Sequence, residues 1–261
     1  MMEKQIVRGE LFNGFEVDDT RPLHKMKVAD LFFKMAYDKP RMSEQAPKYF
    51  APDEEWDESK SIGTINIPMA YIESRQTGIY ALTSVDILEY MLTGSAFYRS
   101  ILRYDACMLH SSAVVVDGYA YLFSADSGTG KSTHTKLWLK HFGDRAYIIN
   151  DDKPAIRYID GDWHVYGTPW SGKTDTSVNT RVKLGGIVFL ERSGKNFIEP
   201  MKSEEGIVQF IKQTPRKVTA ERMEWLLDII DRLFTQCPVW RLGCDMSDDA
   251  VVTSYEAIRR V

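Results

Sequence analysis

Cysteine is scarce in this chain: three in 261 residues, at Cys107, Cys237 and Cys244. An odd and sparse set is not the even framework of a disulfide-stapled secreted domain. Cys237 and Cys244 stand outside any CxxC spacing and have no paired histidines, which argues against a zinc site. Reduced thiols in a cytosolic protein are the expectation. Long hydrophobic runs are missing too. A stretch such as Ile187-Val188-Phe189-Leu190 falls far short of the ~20 apolar residues of a membrane helix, and Met1-Met2-Glu3-Lys4-Gln5 opens no signal peptide. There is no excess of positive charge: 33 Lys and Arg against 37 Asp and Glu leave a net charge of −4. That balance excludes a grip on nucleic acid by bulk charge. Neither a nucleic acid nor a membrane is therefore expected as a partner. No internal repeat and no low-complexity tract interrupts the chain. What is present, 44% hydrophobic and 27% charged residues, is ordinary globular composition. The length suits one large domain or two small ones.

The first third reads differently from the rest. Residues 36–62 carry Pro40, Pro47 and Pro52 and the acidic cluster Asp53, Glu54, Glu55, Asp57, Glu58, the mixture of a long solvated surface loop. Residues 64–67 and 78–82 read as strands. Ser84 can cap a helix whose apolar positions include Ile87, Tyr90, Met91 and Phe97, with Gly94 able to break it in two. A boundary near residue 105 divides an N-terminal α/β segment, 1–105, from a catalytic domain, 106–261. Beyond it, residues 113–116 and 119–123 are strand candidates joined by Asp117-Gly118, a strong hairpin signal because both positions need positive φ. A helix over about 132–142 follows, stopped by Gly143. Residues 147–149 form a buried-strand candidate. Residues 156–158 and 163–166 flank a second turn signal, Asp160-Gly161, and 186–190 is one more apolar strand. Helices are expected at about 203–213, 219–236 and 247–259, with a strand at 239–242.

Residues 125–132 read Ala-Asp-Ser-Gly-Thr-Gly-Lys-Ser. This is the phosphate-loop pattern G-x-x-x-x-G-K-[ST] with Ala125 in place of the first glycine. Gly128 and Gly130 let the backbone curl so that successive N–H groups turn inward toward phosphate oxygens, and the following helix adds the positive end of its dipole. Lys131 is a compact charge for the phosphates, and the Ser132 hydroxyl can ligate Mg²⁺. Ser127, Gly128, Thr129, Gly130, Lys131, Ser132 and Thr133 are the expected nucleotide-binding residues. The strand before the loop arrives from a tight hairpin, which disfavours the all-parallel sheet of GTPase-like or RecA-like proteins. Asp151 and Asp152 follow Lys131 by twenty and twenty-one residues. One helix and one strand would return them beside the loop, at the end of the neighbouring strand. Adjacent carboxylates there could divide two tasks, holding Mg²⁺ and accepting the proton of an attacking hydroxyl. His134, Leu137 and Trp138, on the helix after the loop, read as packing.

His110 ahead of the hairpin, the loop at 125–132 and Asp151-Asp152 at a strand end together resemble the HPr kinase/phosphorylase family, of the phosphoenolpyruvate carboxykinase-like nucleotide-binding fold. The stretches 109–113, 130–134, 150–154 and 167–173 look most like a smaller kinase-like branch of it. The resemblance spans about residues 106–245 and omits the N-terminal third. It implies an α/β (α+β) protein with a mixed sheet, in which an antiparallel hairpin feeds the phosphate loop. It also implies ATP and Mg²⁺ as cofactors, phosphorylation of a hydroxyl, a serine of a protein or peptide as acceptor, and assembly into homo-oligomers. His110 would sit near the phosphates or support the aspartates. Asp152 would lie nearest metal and acceptor, with Ser132 as the other metal ligand and Asp151 assisting, although sequence does not settle that order. The glycine-rich signature that HPr kinases carry after the Asp-Asp pair is missing, so neither HPr as substrate nor phosphorolysis is implied. In the loop 167–173, Trp170 and Lys173 are acceptor-pocket candidates; the competing reading is a β-edge turn around a buried Trp. Two other functions remain open beside the peptide kinase: a non-catalytic nucleotide-binding regulatory module and a kinase for a small-molecule alcohol.

Overall fold

A computed structural model describes residues 20–215 and 218–259; the N-terminal stretch Met1 to Gln5 lies outside them. The chain divides into two compact units between Ser100 and Ile101, a few residues before the boundary expected near 105. The reason is local. Ile101–Tyr104 forms a 3₁₀ turn whose Leu102 is buried in the core of the second unit.

The first unit holds a three-stranded sheet, β1 (His24–Val28), β2 (Leu31–Met35) and β3 (Ser61–Ile65). β1 and β2 are antiparallel, and β3 joins β2 in parallel. The hairpin turns on Ala29 and Asp30, both at positive φ. The segment 36–62 is more ordered than its prolines suggested. Pro40 starts helix α1 (Pro40–Gln45), and Met42, Ala46 and Tyr49 are fully buried. Their spacing of four and three is that of an apolar helical face. The acidic cluster stays at the surface and pairs Asp53 with Lys25 and Glu58 with Lys34, exposed contacts worth little. A short α2 (Met69–Ser74) follows. The strand expected at 78–82 is instead a 3₁₀ turn, with Ile79 and Leu82 exposed. Helix α3 (Val85–Ser100) continues unbroken through Gly94, and Ser84 Oγ accepts from the Ile87 N–H. The buried carboxylate of Glu89 on α3 accepts from the backbone N–H groups of Asp38 and Lys39. Burial pushes its pKa up, and those two bonds oppose the shift.

The second unit is a mixed sheet covered on both faces by helices. Its strands are β4 (Ala106–Met108), β5 (Ser111–Val116), β6 (Tyr119–Ser124), β7 (Ala146–Asn150), β8 (Ala155–Ile159), β9 (Asp162–Tyr166) and β10 (Arg181–Arg192), with β11 (Phe197–Pro200) and β12 (Val239–Cys244). The order is β4-β8-β9-β10-β6-β5-β7, and β12 pairs with β10 and β11. β6 and β12 both run parallel to β10, whereas β5 is antiparallel to β6 and to β7. β6 and β7 therefore point the same way with β5 between them; Asp151 and Asp152 follow the strand next to β5, not the one next to β6. Asp117 and Gly118 turn the β5–β6 hairpin at positive φ.

Helices α4 (Lys131–Phe142) and α7 (Asp248–Ile258) cover one face, with Trp138 against Val114, Tyr121 and Phe123. On the other face α5 (Ser203–Lys212) and α6 (Ala220–Gln236) pack Phe210, Ile229 and Leu233 against Val115, Leu122 and Ile187. A sheet buried on both faces needs apolar residues at successive positions, which is why β5 and β6 read as continuous hydrophobic runs. All three cysteines are free and buried. Among the described residues no helix is long and apolar enough to cross a membrane.

His134 lies fully buried on α4. Its Nε2 accepts from Trp138 Nε1 at 3.1 Å, and its Nδ1 is buried without a hydrogen-bond partner. Burial lowers the ring pKa from 6.5 to about 4. Above pH 6.5 the ring is neutral in both the folded and the unfolded chain and contributes no pH dependence. As pH falls from 6.5 toward 4 the unfolded chain binds a proton that the folded one refuses, so stability declines, and below about 4 the loss is complete. The decline attributable to this ring should be on the order of 3 kcal/mol. Urea unfolding at a series of pH values should show a shallower acid decline for His134→Gln than for the wild type. Parallel curves would exclude a buried neutral His134.

Candidate functional site

Because β6 and β7 run in parallel and β5 opposes both, one sheet edge collects the end of β6, the end of β7 and the start of β5. The residues just beyond those strand ends form the candidate site. After Ser124 the chain enters the glycine-rich loop. Gly128 has φ +80° and Gly130 has φ +129°, conformations that side-chain-bearing residues rarely adopt. A Cβ on Gly130 would also fall 2.1 Å from the Met246 methyl group. Gly130 is the N-cap of α4 and offers no side-chain cap, so the first N–H groups of that helix face the loop without a capping acceptor.

Lys131 is buried instead of reaching outward. Its ammonium donates to the Ala125 carbonyl at 2.9 Å and approaches that of Asp126 at 3.4 Å. Burial lowers its pKa, and the charges of Asp152, Asp126 and Asp151 oppose that shift. Ser127, Gly128 and Thr133 are exposed, while Thr129, Gly130 and Ser132 are half-buried. Arg192, at the end of β10, holds the loop from outside: its Nη2 donates to the Gly128 carbonyl at 2.6 Å and its Nε to that of Thr129 at 3.3 Å.

Asn150 closes β7 and shapes the two aspartates. Its Oδ1 accepts from the N–H groups of Asp152 at 3.0 Å and Lys153 at 2.8 Å, an Asx-type turn. Asp152 meets His110 Nε2 at 3.1 Å through Oδ1 and Lys153 Nζ through Oδ2. Burial works against its charge, but the His110 hydrogen bond and the Lys153 ammonium prevail and hold the carboxyl well below the ordinary range. Asp151 has a different environment. Its Oδ1 accepts from Ser112 Oγ at 2.6 Å and its Oδ2 from Thr174 Oγ1 at 3.3 Å. Ser112 Oγ also lies 2.7 Å from Thr135 Oγ1 on α4, so Asp151 is tied to the helix that follows the loop.

His110 is fixed on both sides. Its Nδ1 faces Gln213 Oε1 at 3.2 Å while Nε2 faces Asp152. Both ring nitrogens thus meet oxygen atoms, one of a side-chain amide and one of a carboxylate. The His110 carbonyl accepts from Ser124 Oγ at 2.8 Å, which pins it to the end of β6.

The structure thus gathers His110, the 125–132 loop, Asp151 and Asp152 at one edge. It does not bring Trp170 there as a contact surface, because that ring is fully buried. Trp170 is part of the interior, and the reading of a turn around a buried Trp describes it. Lys173 is exposed on the same connection. Sequence reasoning missed Arg192, Gln213, Ser112 and Thr174. Arg192 and Gln213 lie more than sixty residues beyond the loop they touch, and no local pattern marks them. Among the described residues no group of three or more His, Cys, Asp or Glu side chains is placed to hold a metal ion.

No family model matches this chain, and no curated protein matches it. Among solved structures, the Hpr(Ser) kinase/phosphatase from Coxiella burnetii aligns over 36% of this chain and 70% of its own, at 11% identity and a TM-score of 0.28. A score that low establishes no common fold.

The connection over Asp151 is held at Gly167, where a Cβ would fall 2.0 Å from the Val178 carbonyl oxygen and 2.8 Å from that of Ile149. Both are backbone atoms and cannot step aside. Gly167→Ala should therefore lift residues 174–178 from β7 and cost about 1–3 kcal/mol, the range for overpacking. Urea unfolding measures the cost, and hydrogen exchange at the Asp151 and Val178 amides, now bonded to the carbonyls of Thr176 and Ile149, measures the lifting. Unchanged protection at both amides would contradict this docking.

Proposed function

We propose that the second unit is a phosphotransferase that moves the terminal phosphoryl group of ATP to an alcohol hydroxyl, and that the hydroxyl belongs to a serine of a protein or peptide. The observation that carries this reading is the meeting, at one sheet edge, of an uncapped helix N-terminus behind a glycine-rich loop with an ionised, half-buried Asp152 and a hydroxyl-binding Asp151. A pure phosphate-binding module needs the first half of that arrangement and not the second. The hydroxyls of Ser112 and Thr174 on Asp151 support an alcohol acceptor, and the choice of serine rests on the resemblance of the sequence pattern.

In this reading the loop N–H groups and the start of α4 bind the phosphates, and Lys131 supplies the cation at the helix start. Asp151 already accepts hydrogen bonds from the hydroxyls of Ser112 and Thr174, which makes it the carboxylate suited to accept the acceptor's O–H. The acceptor oxygen attacks the terminal phosphorus, the bond to the departing diphosphate breaks, and the proton passes to Asp151. Asp152 stays charged between His110 and Lys153. The Ser132 hydroxyl and an Asp152 oxygen are hard donors of the kind Mg²⁺ prefers, and they would hold the ion directly or through water, where it would neutralise phosphate charge. So small a protein donor set suits Mg²⁺, which is commonly shared between one or two carboxylates and substrate phosphates.

Calorimetry with ATP and Mg²⁺ should show binding by the wild type and its loss in Lys131→Ala with the fold intact. Equal affinity in that variant would remove the phosphate-loop assignment. Transfer from γ-labelled ATP to serine-containing peptides, with the phosphosite mapped by mass spectrometry, tests the chemistry. Asp151→Asn and Asp152→Asn should each lower it by about 10²–10⁴-fold. Full transfer in both would dismiss the pair as the catalytic centre, and nucleotide binding with no transfer to any hydroxyl would favour the regulatory module.

A further inference from the structure

The residue that closes α5 spans the two halves of this site. Gln213 is its C-cap, only 9% exposed, and both ends of its side-chain amide are engaged. Nε2 donates to Asp126 Oδ1, in the loop, at 2.9 Å. A carboxylate only accepts, so this bond fixes which way the amide points. Oε1 is then the atom 3.2 Å from His110 Nδ1. A carbonyl oxygen also only accepts, so Nδ1 must bring the proton. The main chain adds a third tie, with the His110 N–H donating to the Gln213 carbonyl at 2.8 Å. The ring's opposite nitrogen, Nε2, is the one presented to Asp152 at 3.1 Å.

We propose that Gln213 is a positioning residue for phosphoryl transfer. It holds the His110 ring through Nδ1 so that Nε2 stays turned toward Asp152, and through Asp126 it keeps that arrangement in register with the loop. The inference rests on the phosphotransferase reading of the same edge. Its physical content is a chain of four side chains, Asp126, Gln213, His110 and Asp152, in which the bonds from Asp126 through Gln213 to His110 Nδ1 fix which ring edge faces Asp152. Removing the amide leaves the loop glycines, the α4 terminus and Lys131 untouched. It frees the His110 ring to rotate away from Asp152. The consequence should fall on the rate of transfer more than on ATP binding.

The test uses the full chain labelled with ¹⁵N at histidine. The chain has five histidines, and the His110 signals are assigned by their disappearance in His110→Asn. In the wild type His110 Nδ1–H should be seen in its hydrogen bond to Gln213. In Gln213→Ala the His110 Nδ1 signals should shift as that hydrogen bond is lost, kcat should fall about tenfold or more, and KM for ATP should change little. Gln213→Glu sets a carboxylate against Asp126 and should also lower kcat. Adding Asp126→Asn restores a donor and an acceptor with the senses exchanged, so the double variant should recover most of the rate and the wild-type His110 spectrum. A merely structural role would lower the melting temperature without this rescue. If the wild type turns over ATP while Gln213→Ala keeps its kcat and its His110 spectrum, this inference alone is overturned. If the wild type neither binds nor turns over ATP, the phosphotransferase reading fails and takes the inference with it.

Discussion

β5 runs antiparallel to both of its neighbours, and the candidate site is a consequence of that reversal. Ser111 pairs with Ser124 on one side, and Ala113 pairs with Asn150 on the other. His110 before β5, Ala125 after β6 and Asp151 after β7 are therefore neighbours by strand register, before any side chain makes a bond. The register is itself enforced from two directions. Asp117 and Gly118 take the positive φ of a two-residue turn, which fixes the hairpin alignment. Both faces of the sheet are also buried, and they hold different residues: Val115 and Leu122 on the α6 face, Val114 and Phe123 on the α4 face. A one-residue slip would exchange those sets between two differently shaped cores.

The parts of this fold that were legible in sequence are those whose signal is local. The Asp-Gly turns, the glycine-rich loop and the Gly143 stop after α4 each declare themselves within a few residues. The β1–β2 hairpin did not, because its turn is Ala29-Asp30, and alanine gives no warning of positive φ. The 78–82 segment misled in the opposite sense: Gly78, Ile79 and Tyr80 look strand-like by composition, yet Ile79 is exposed and the three form a 3₁₀ turn. In 36–62 the prolines masked a helical spacing of Met42, Ala46 and Tyr49. At the site, His110, Lys131 and the two aspartates were legible because a motif spaces them along the chain. Arg192 and Gln213 arrive from β10 and α5 through tertiary packing, and such arrivals leave no trace in local sequence.

The two adjacent aspartates illustrate how position alone gives neighbouring carboxylates different surroundings. Asp152 turns into a pocket with His110 and Lys153, where charges of the opposite sign outweigh burial and keep it ionised. Asp151 faces hydroxyl groups from β5 and from the 167–180 connection. Pairs of carboxyls placed in unlike surroundings are a recurring way to divide charge-holding from proton handling. Sequence could name the pair but could not order it, because the order depends on which strands and loops come to surround each residue.

Charge balance at this edge bears on what it can accept. Lys131 feels three carboxylates, Asp152, Asp126 and Asp151. Against them stand the ammonium groups of Lys131 and Lys153, with Arg192 spent on the loop carbonyls. The edge is thus close to neutral or acidic before any phosphate arrives, despite its helix N-terminus. A polyphosphate entering it alone would add several negative charges beside carboxylates already held in a partly desolvated setting, where Coulomb repulsion is weakly screened. On the proposed function the phosphates would therefore have to enter together with a divalent cation, and the carboxylates that repel the bare anion are the groups that would welcome the pair. On that same reading the coupling would give the acidic residues a second purpose besides proton handling, discrimination against free polyphosphate and inorganic anions that the loop and helix dipole would otherwise hold.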